Sequence, residues 1–182
     1  MIIITVTKGG ILMLVMFRFK NYGPFKDEAV FDMRAIKSYK EHPYNLINEK
    51  NDESLLKVVA IYGANASGKS NFIDAYHTYL DLVRSSFQKN DKEDSDSHLE
   101  EHYYPFFFDN HSFEENIEFE AVYYWDEYEY RYGYIFNDTR IEYEWLYRTS
   151  LSTKRQSTIF ERSPSKIELG ASVKKTCEKY LK

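Results

Sequence analysis

The sequence predicts an α/β domain in which a strand, a glycine-containing loop and a long helix carry an antiparallel, tyrosine-rich β-meander. Three observations predict it. An apolar, β-branched run from Leu56 to Tyr62 leads into Gly63-Ala64-Asn65-Ala66-Ser67-Gly68-Lys69-Ser70. From Lys69 the apolar period becomes helical, with Phe72, Tyr76, Tyr79, Val83 and Phe87 on one stripe and Ile73 and Leu80 widening it. Beyond Ile117 apolar and charged residues alternate at the period of two that a half-buried strand requires. With 182 residues and an apolar share of 43%, the chain has enough material for one packed core.

The elements follow in order. Ile2 to Val6 and Ile11 to Phe17 are short apolar runs split by Lys8-Gly9-Gly10, and they read as two strands joined by a turn. Neither approaches the roughly 18 apolar residues of a membrane span. The charge lies between and after the runs rather than before them, which argues against a secretory signal. A second reading makes residues 1–12 an extension ahead of a natural start at Met13. Leu14 to Asn21 alternates, Tyr22-Gly23-Pro24 supplies a turn, and Glu28 to Met33 returns, so residues 14–33 read as an opening hairpin. Residues 34–55 are polar and irregular. Leu56 to Tyr62 lacks alternation and therefore reads as a strand buried on both faces, and the helix behind the loop runs for about five turns.

Residues 89–102 are dominated by Asp, Glu, Ser and Lys, with Leu99 as the one apolar side chain, and read as an acidic, solvated linker. In residues 103–170 three strands alternate: Ile117, Phe119, Ala121 and Tyr123; then Tyr128, Tyr130, Tyr132 and Tyr134; then Ile141, Tyr143, Trp145 and Tyr147. Asp126-Glu127 and Asn137-Asp138 fall where turns belong. Ser157 to Glu161 and Lys166 to Leu169 extend the meander, Gly170 ends it, and residues 171–182 begin a helix or arm. Because the tyrosines alternate mainly with Glu, cross-strand aromatic packing explains them better than base stacking on a nucleic acid.

The charge balance excludes some partners. With 29 acidic and 24 basic residues the net charge is −5, so a general basic coat for nucleic acid is absent and only a local patch stays open. A lone Cys177 permits no intrachain disulfide and no Cys-based metal site, which fits a cytoplasmic chain.

Residues 63–70 satisfy G-x-x-x-x-G-K-[ST], the P-loop pattern, and lie between an expected strand and an expected helix. A triphosphate needs many donors at short range. The backbone N–H groups from about Ala66 to Ser70, together with the positive end of the helix dipole, supply them. Gly63 and Gly68 let the backbone turn, Lys69 reaches the β- and γ-phosphates, and the Ser70 hydroxyl is the expected Mg²⁺ ligand. The expected cofactors are thus a nucleoside triphosphate and Mg²⁺, with Gly63, Asn65, Ala66, Ser67, Gly68, Lys69, Ser70 and Asn71 as binding residues.

Asn65 and Asn71, with the N-terminal "FRFKNYGPFKDEAVFDM" stretch, resemble the ABC-type heads of SMC, RecF and related ATPases. The downstream order "YYPFFFD", "IEFEAVYYWDEYEYRYGYIFNDTRIEYEWLYRTS" and "IFERSPSKIELG" resembles the N-terminal part of bacterial AAA-family ATPases of the OLD-like, abortive-infection group, over roughly residues 13–170. The resemblance implies a P-loop NTPase lobe, the N-terminal half of an ATPase head, and ATP as the triphosphate. It also implies a homodimer or higher oligomer formed around ATP, a nuclease or other effector beside it, and a role in defence against phage. It supports Met13 as the start, and it suggests Arg18, Lys20 and Asn21 as further nucleotide contacts, with exposed strand charges as the competing explanation.

The sequence also departs from that pattern. An ABC-type head needs a signature motif and an apolar strand ending in Asp-Glu. Val122 to Glu127 fits the second by composition, making Glu127 a candidate catalytic base, but alternating strands on both sides make Asp126-Glu127 a hairpin turn. Leu151 to Gln156 echoes a signature motif without its glycines, and Glu144 is a guess at a Mg²⁺-sensing group. His98, Glu101 and His102 match H-x-x-E-H, yet their acidic, polar setting favours a solvated face over a metal site. Three readings therefore stand: an ATP·Mg²⁺ binding lobe acting as motor or switch, with hydrolysis completed by absent segments; a noncatalytic nucleotide-binding or interaction module; and a small self-sufficient NTPase using Glu127.

Overall fold

The computed structural model describes residues 6–7, 10–39, 41–48, 53–88 and 96–177. β1 (Val6–Thr7) and β2 (Gly10–Ile11) pair as a two-residue hairpin; of the two strands expected here, residues 2–5 of the first lie outside the described residues, and residues 13–17 of the second belong to the next strand. β3 (Met13–Lys20) and β4 (Ala29–Asp32) form the opening hairpin, and β5 (Leu46–Asn48) and β6 (Ser54–Leu56) form a small one within the stretch expected to be irregular. α1 (Lys69–Gln88) follows the glycine loop. After α2 (Asp96–His102) come β7 (Ile117–Trp125), β8 (Tyr128–Phe136), β9 (Ile141–Ser150), β10 (Gln156–Ser163) and β11 (Lys166–Leu169), joined by successive hairpins, and then α3 (Lys174–Cys177). Residues 178–182, the rest of the expected C-terminal helix, lie outside the described residues.

The N-terminal hairpin and the meander are one sheet. β3 pairs with β7 from Met13↔Tyr124 to Lys20↔Glu118, which gives an antiparallel order β11-β10-β9-β8-β7-β3-β4. A bulge sets the facing of β3. Leu14 lies opposite Tyr123 and Met16 opposite Val122, so Val15 is the extra residue. Without that insertion Leu14 and Phe17 would point to opposite faces. With it, both join the core under α1, while Met13, Val15 and Met16 pack with Leu55, Ile47, Val122, Tyr124 and Leu151 in a second cluster.

α1 crosses the sheet and buries Ala75, Tyr79 and Leu82 against Phe17, Phe19, Phe119, Tyr134 and Phe136. The contact is mainly aromatic: Tyr79 stacks on Tyr134 at 5.6 Å and 4°, and Phe17 and Tyr76 meet edge to face at 5.0 Å. The tyrosine stripes predict packing across strands, as between Phe119 and Tyr134 at 5.9 Å, and the aromatic contacts from α1 come in addition to it. Ile73, expected on the apolar stripe, is exposed, and Ala75 and Leu82 take the central positions instead.

Two further expectations are corrected. The run Leu56 to Tyr62 is not a buried strand: β6 ends at Leu56, and Val58 and Tyr62 are 70% and 90% exposed on non-strand backbone. A uniformly apolar strand is buried only where strands flank it and layers cover both faces. Among the described residues no strand pairs with this segment beyond Leu56, so it reaches the loop as an exposed connector. The acidic linker is helical over its second half. Residues 89–95 lie outside the described residues, but α2 follows, with Leu99 packed against the core. One apolar side chain suffices to seat a helix of two turns, and a periodicity test needs several.

On the face of the sheet away from α1, Glu120 is 1% exposed and bound on every side. It accepts from Arg18 Nε at 2.8 Å, Arg131 Nε at 2.7 Å and Trp145 Nε1 at 2.8 Å. Gly133 lies between Glu120 and Trp145 in the register, and a Cβ there would sit 2.3 Å from the indole. Glycine at that position is therefore a packing requirement of the indole that holds the buried carboxylate.

Candidate functional site

The glycine loop is wrapped by two residues in the left-handed region, Ala66 at φ 64° and Gly68 at φ 86°. The bond from Phe72 N to Gly68 O at 2.9 Å begins the helical ladder, so Gly68 caps α1 and the preceding amides gather at its positive end. Lys69 curls back over the loop, donating from Nζ to Gly63 O at 2.9 Å and Ala64 O at 2.6 Å, with Ser67 Oγ at 3.4 Å. Its ammonium rests on neutral carbonyls, which phosphate oxygens can replace as stronger, charge-assisted partners. A Cβ on Gly63 would meet Ser67 Oγ at 2.6 Å, so a side chain there would have to turn the Ser67 hydroxyl away from its place beside Lys69. Asn65, Ala66, Ser67 and Ser70 are exposed, and Ser70 occupies the second position of the helix. The donor set, an ammonium, a hydroxyl and helix-end amides, fits a triphosphate and its Mg²⁺.

The outer wall of the loop comes from the turn between β3 and β4. Tyr22 and Phe25 exchange backbone bonds at 2.9 and 3.0 Å, and a Cβ on Gly68 would meet Phe25 Cζ at 2.9 Å and Pro24 Cγ at 3.6 Å. Phe25 is itself held edge-on to Phe19 in the core at 5.1 Å. Gly68→Ala therefore combines an unfavourable φ with a steric clash, and it is expected to destabilise the domain by about 1–3 kcal/mol, measured by urea unfolding. An unchanged midpoint would show that the Phe25 contact does not brace the loop. Asn71 Nδ2 faces the same turn, 3.5 Å from where a Gly23 Cβ would lie.

The remaining predicted site residues are used elsewhere. Arg18 lies on the sheet face away from α1 and pairs with Glu28, Glu118 and Glu120 at 2.7, 2.7 and 2.8 Å. Burial disfavours its charged form, yet hydrogen bonding and the carboxylate charges keep the guanidinium above its ordinary value. Asn21 is fully buried at φ 57°; its Nδ2 donates to Ser112 O and Glu115 O at 2.8 Å, and its Oδ1 accepts from Phe106 N at 3.1 Å. These two expected nucleotide contacts thus tie chain segments together, and Lys20 is an exposed residue at the end of β3.

Glu127 is separated from the loop. The loop abuts Phe25, which packs on Phe19, and Phe19 is opposite Phe119. Glu127 lies beyond Trp125 in the two-residue turn to β8, where Asp126 has φ 57°. Phe119 to Trp125 is roughly 20 Å of strand, so the turn reading holds and the carboxylate cannot serve a nucleotide bound by this chain's loop. Glu144 accepts from Tyr132 OH at 2.6 Å and pairs with Arg162 at 2.6 Å, a cross-strand structural role. Glu101 and His102 lie on α2, and among the described residues no group of three His, Cys, Asp or Glu side chains could hold a metal.

Sequence reasoning missed Pro24 and Phe25 as walls of the loop. Tyr22-Gly23-Pro24 announced a turn, but its contact with residues more than forty positions away leaves no local signal.

The profile of the family described as "AAA domain, putative AbiEii toxin, Type IV TA system" matches residues 58–172. The chain belongs to this AAA-domain family. The matched region takes in most of the exposed connector, the glycine loop, α1 and the whole meander, while β3, β4 and the turn that walls the loop lie ahead of it. No curated protein and no solved structure matches the chain. Among the described residues no helix is long and apolar enough to cross a membrane.

Proposed function

We propose that this AAA-family domain binds ATP·Mg²⁺ at residues 63–70 and acts as the nucleotide-dependent switch of an abortive-infection system. The observation that carries the reading is Lys69, whose ammonium closes over a glycine loop at the N-terminus of a 20-residue helix and, among the described residues, is held there by carbonyl and hydroxyl oxygens that phosphate can displace. Lys69 and the loop amides would hold the phosphates, and the Ser70 hydroxyl would complete the Mg²⁺ shell. Bound Mg²⁺ would neutralise phosphate charge. Hydrolysis would draw its base and its second phosphate sensor from outside the described residues, as in an ABC- or SMC-like head that dimerises around nucleotide, and the resemblance to OLD-like ATPases supports a nuclease or other effector as the partner. The second reading is a noncatalytic nucleotide-binding module, favoured by the position of Glu127 in the turn at the far end of β7.

Calorimetric titration with ATP in Mg²⁺ tests the reading. Lys69→Ala is expected to weaken binding by roughly 10- to 150-fold, the worth of charged hydrogen bonds. Ser70→Ala should remove the dependence of affinity on Mg²⁺. Equal affinities for the wild type and Lys69→Ala would reject the assignment. In steady-state turnover, Glu127→Gln should match the wild type, and loss of turnover in that variant as well as in Lys69→Ala would restore the self-sufficient NTPase.

A further inference from the structure

Beside the glycine loop lies an aromatic surface that neither the core nor the phosphate site uses. Tyr104 and Phe107 are 52% and 57% exposed although both belong to a segment whose backbone is firmly anchored. Gly23 N donates to Tyr104 O at 2.7 Å, Pro105 is fully buried, and Phe106 N donates to the buried Asn21. The chain is therefore held at Tyr104 itself and at the two residues that follow, while the Tyr104 ring stays open to solvent. That ring packs edge-on against Tyr22 at 6.2 Å and meets Phe107 at 5.7 Å and 64°, so its orientation is set by two neighbours.

Its location gives the ring a task. A Gly23 Cβ would lie 3.6 Å from Tyr104 Cδ1 and 3.5 Å from Asn71 Nδ2, and Asn71 directly follows the proposed Mg²⁺ ligand Ser70. The turn that touches Tyr104 through Gly23 touches Gly68 through Pro24 and Phe25. Gly23 has φ 56° and no side chain to intervene, so the exposed ring and the start of α1 flank the same three-residue turn. A nucleotide whose phosphates occupy the loop carries its base several ångströms away, and the three-residue turn that separates Gly68 from Tyr104 spans at most about 10 Å. An aromatic face accepts any planar base, and an exposed ring held in place loses little rotamer freedom on stacking.

Resting on the proposed triphosphate site, we infer that Tyr104 and Phe107 form the base-stacking platform for the nucleotide, Tyr104 beneath the ring and Phe107 at its edge. Phe108, on the same segment and 81% exposed, packs against Phe106 at 5.4 Å instead and serves as the control.

The test compares ATP with inorganic tripolyphosphate, which has the phosphates and no base, both in Mg²⁺ on the full chain. Tyr104→Ala is expected to weaken ATP roughly 5- to 100-fold while leaving tripolyphosphate affinity unchanged, and Phe107→Ala to do the same to a smaller degree. Lys69→Ala should weaken both ligands. Thermal unfolding of each variant accompanies the titrations, and Phe108→Ala should bind ATP as the wild type does. Equal weakening of ATP and tripolyphosphate by Tyr104→Ala would overturn the inference in favour of a structural role through Gly23. It would also fall if Phe108→Ala weakened ATP as much as Tyr104→Ala, or if Tyr104→Ala had no effect. Those results leave the loop assignment intact, whereas a wild type that binds neither ligand removes both.

Discussion

Replacing Glu120 with alanine is expected to destabilise the domain by about 3–5 kcal/mol. The carboxylate is 1% exposed and accepts from two arginines and an indole, so its removal leaves Arg18 Nε, Arg131 Nε and Trp145 Nε1 without their shared acceptor in the middle of the sheet. Arg18 keeps Glu28 and Glu118, which makes the indole and Arg131 the main sources of the cost. Burial pushes the Glu120 carboxyl up, but hydrogen bonds and charge from Arg131 and Arg18 outweigh it and hold the group below its ordinary value of 4.5. A folded-state value lower than the unfolded one means that the contribution is complete above the ordinary carboxylate range. It is lost as pH falls through the lower, folded value. Urea unfolding near pH 7 should therefore show a large gap between the wild type and Glu120→Ala, and the gap should narrow as the medium is acidified below pH 4.5. Coincident unfolding curves at neutral pH would show that the network contributes nothing net.

Tyr79→Ala is expected to cost about 3–5 kcal/mol as well, and this loss should reach the site. Tyr79 is the fully buried centre of the helix–sheet contact, with Phe17, Phe119, Tyr132 and Tyr134 around its ring, and its carbonyl accepts from Tyr134 OH at 3.0 Å. Deleting the ring opens a cavity beneath the helix whose first turn closes the glycine loop. Thermal unfolding should register the stability loss, and ATP affinity measured well below the transition should fall with it. Tyr79→Phe keeps the ring and gives up a hydroxyl contact with Tyr132 O that is long at 3.5 Å, so it should stay within about 1 kcal/mol of the wild type. A destabilisation by Tyr79→Phe equal to that of Tyr79→Ala would mean that the hydroxyl, not the ring, seats the helix.

Much of the fold was legible because its signals are local. The period of two from Ile117 to Tyr147, broken by Asp126-Glu127 and Asn137-Asp138, predicts the strands and turns now seen as β7, β8 and β9. The loop and the helix stripe of Phe72, Tyr76 and Tyr79 were legible for the same reason. Leu56 to Tyr62 misled, because an apolar run reports only that burial is available and not whether neighbours supply it. Arg18 and Asn21 misled differently. Their side chains suit a phosphate or a base, and only the pairing of β3 with β7 brings Glu118, Glu120 and the carbonyls of Ser112 and Glu115 to them.

By itself the sequence determined the α/β class, the glycine loop with its lysine and the hairpin order of the meander, since each depends on side chains a few residues apart. Tertiary structure alone decided the rest. It joined the first hairpin to the meander, bulged β3 at Val15 so that Leu14 and Phe17 share a face, set Phe25 against Gly68 and Tyr104 against Gly23, and left Glu127 at the far end of β7. The physical reason is that packing between residues forty to a hundred positions apart obeys shape and charge complementarity, and neither has a period that a linear pattern can carry.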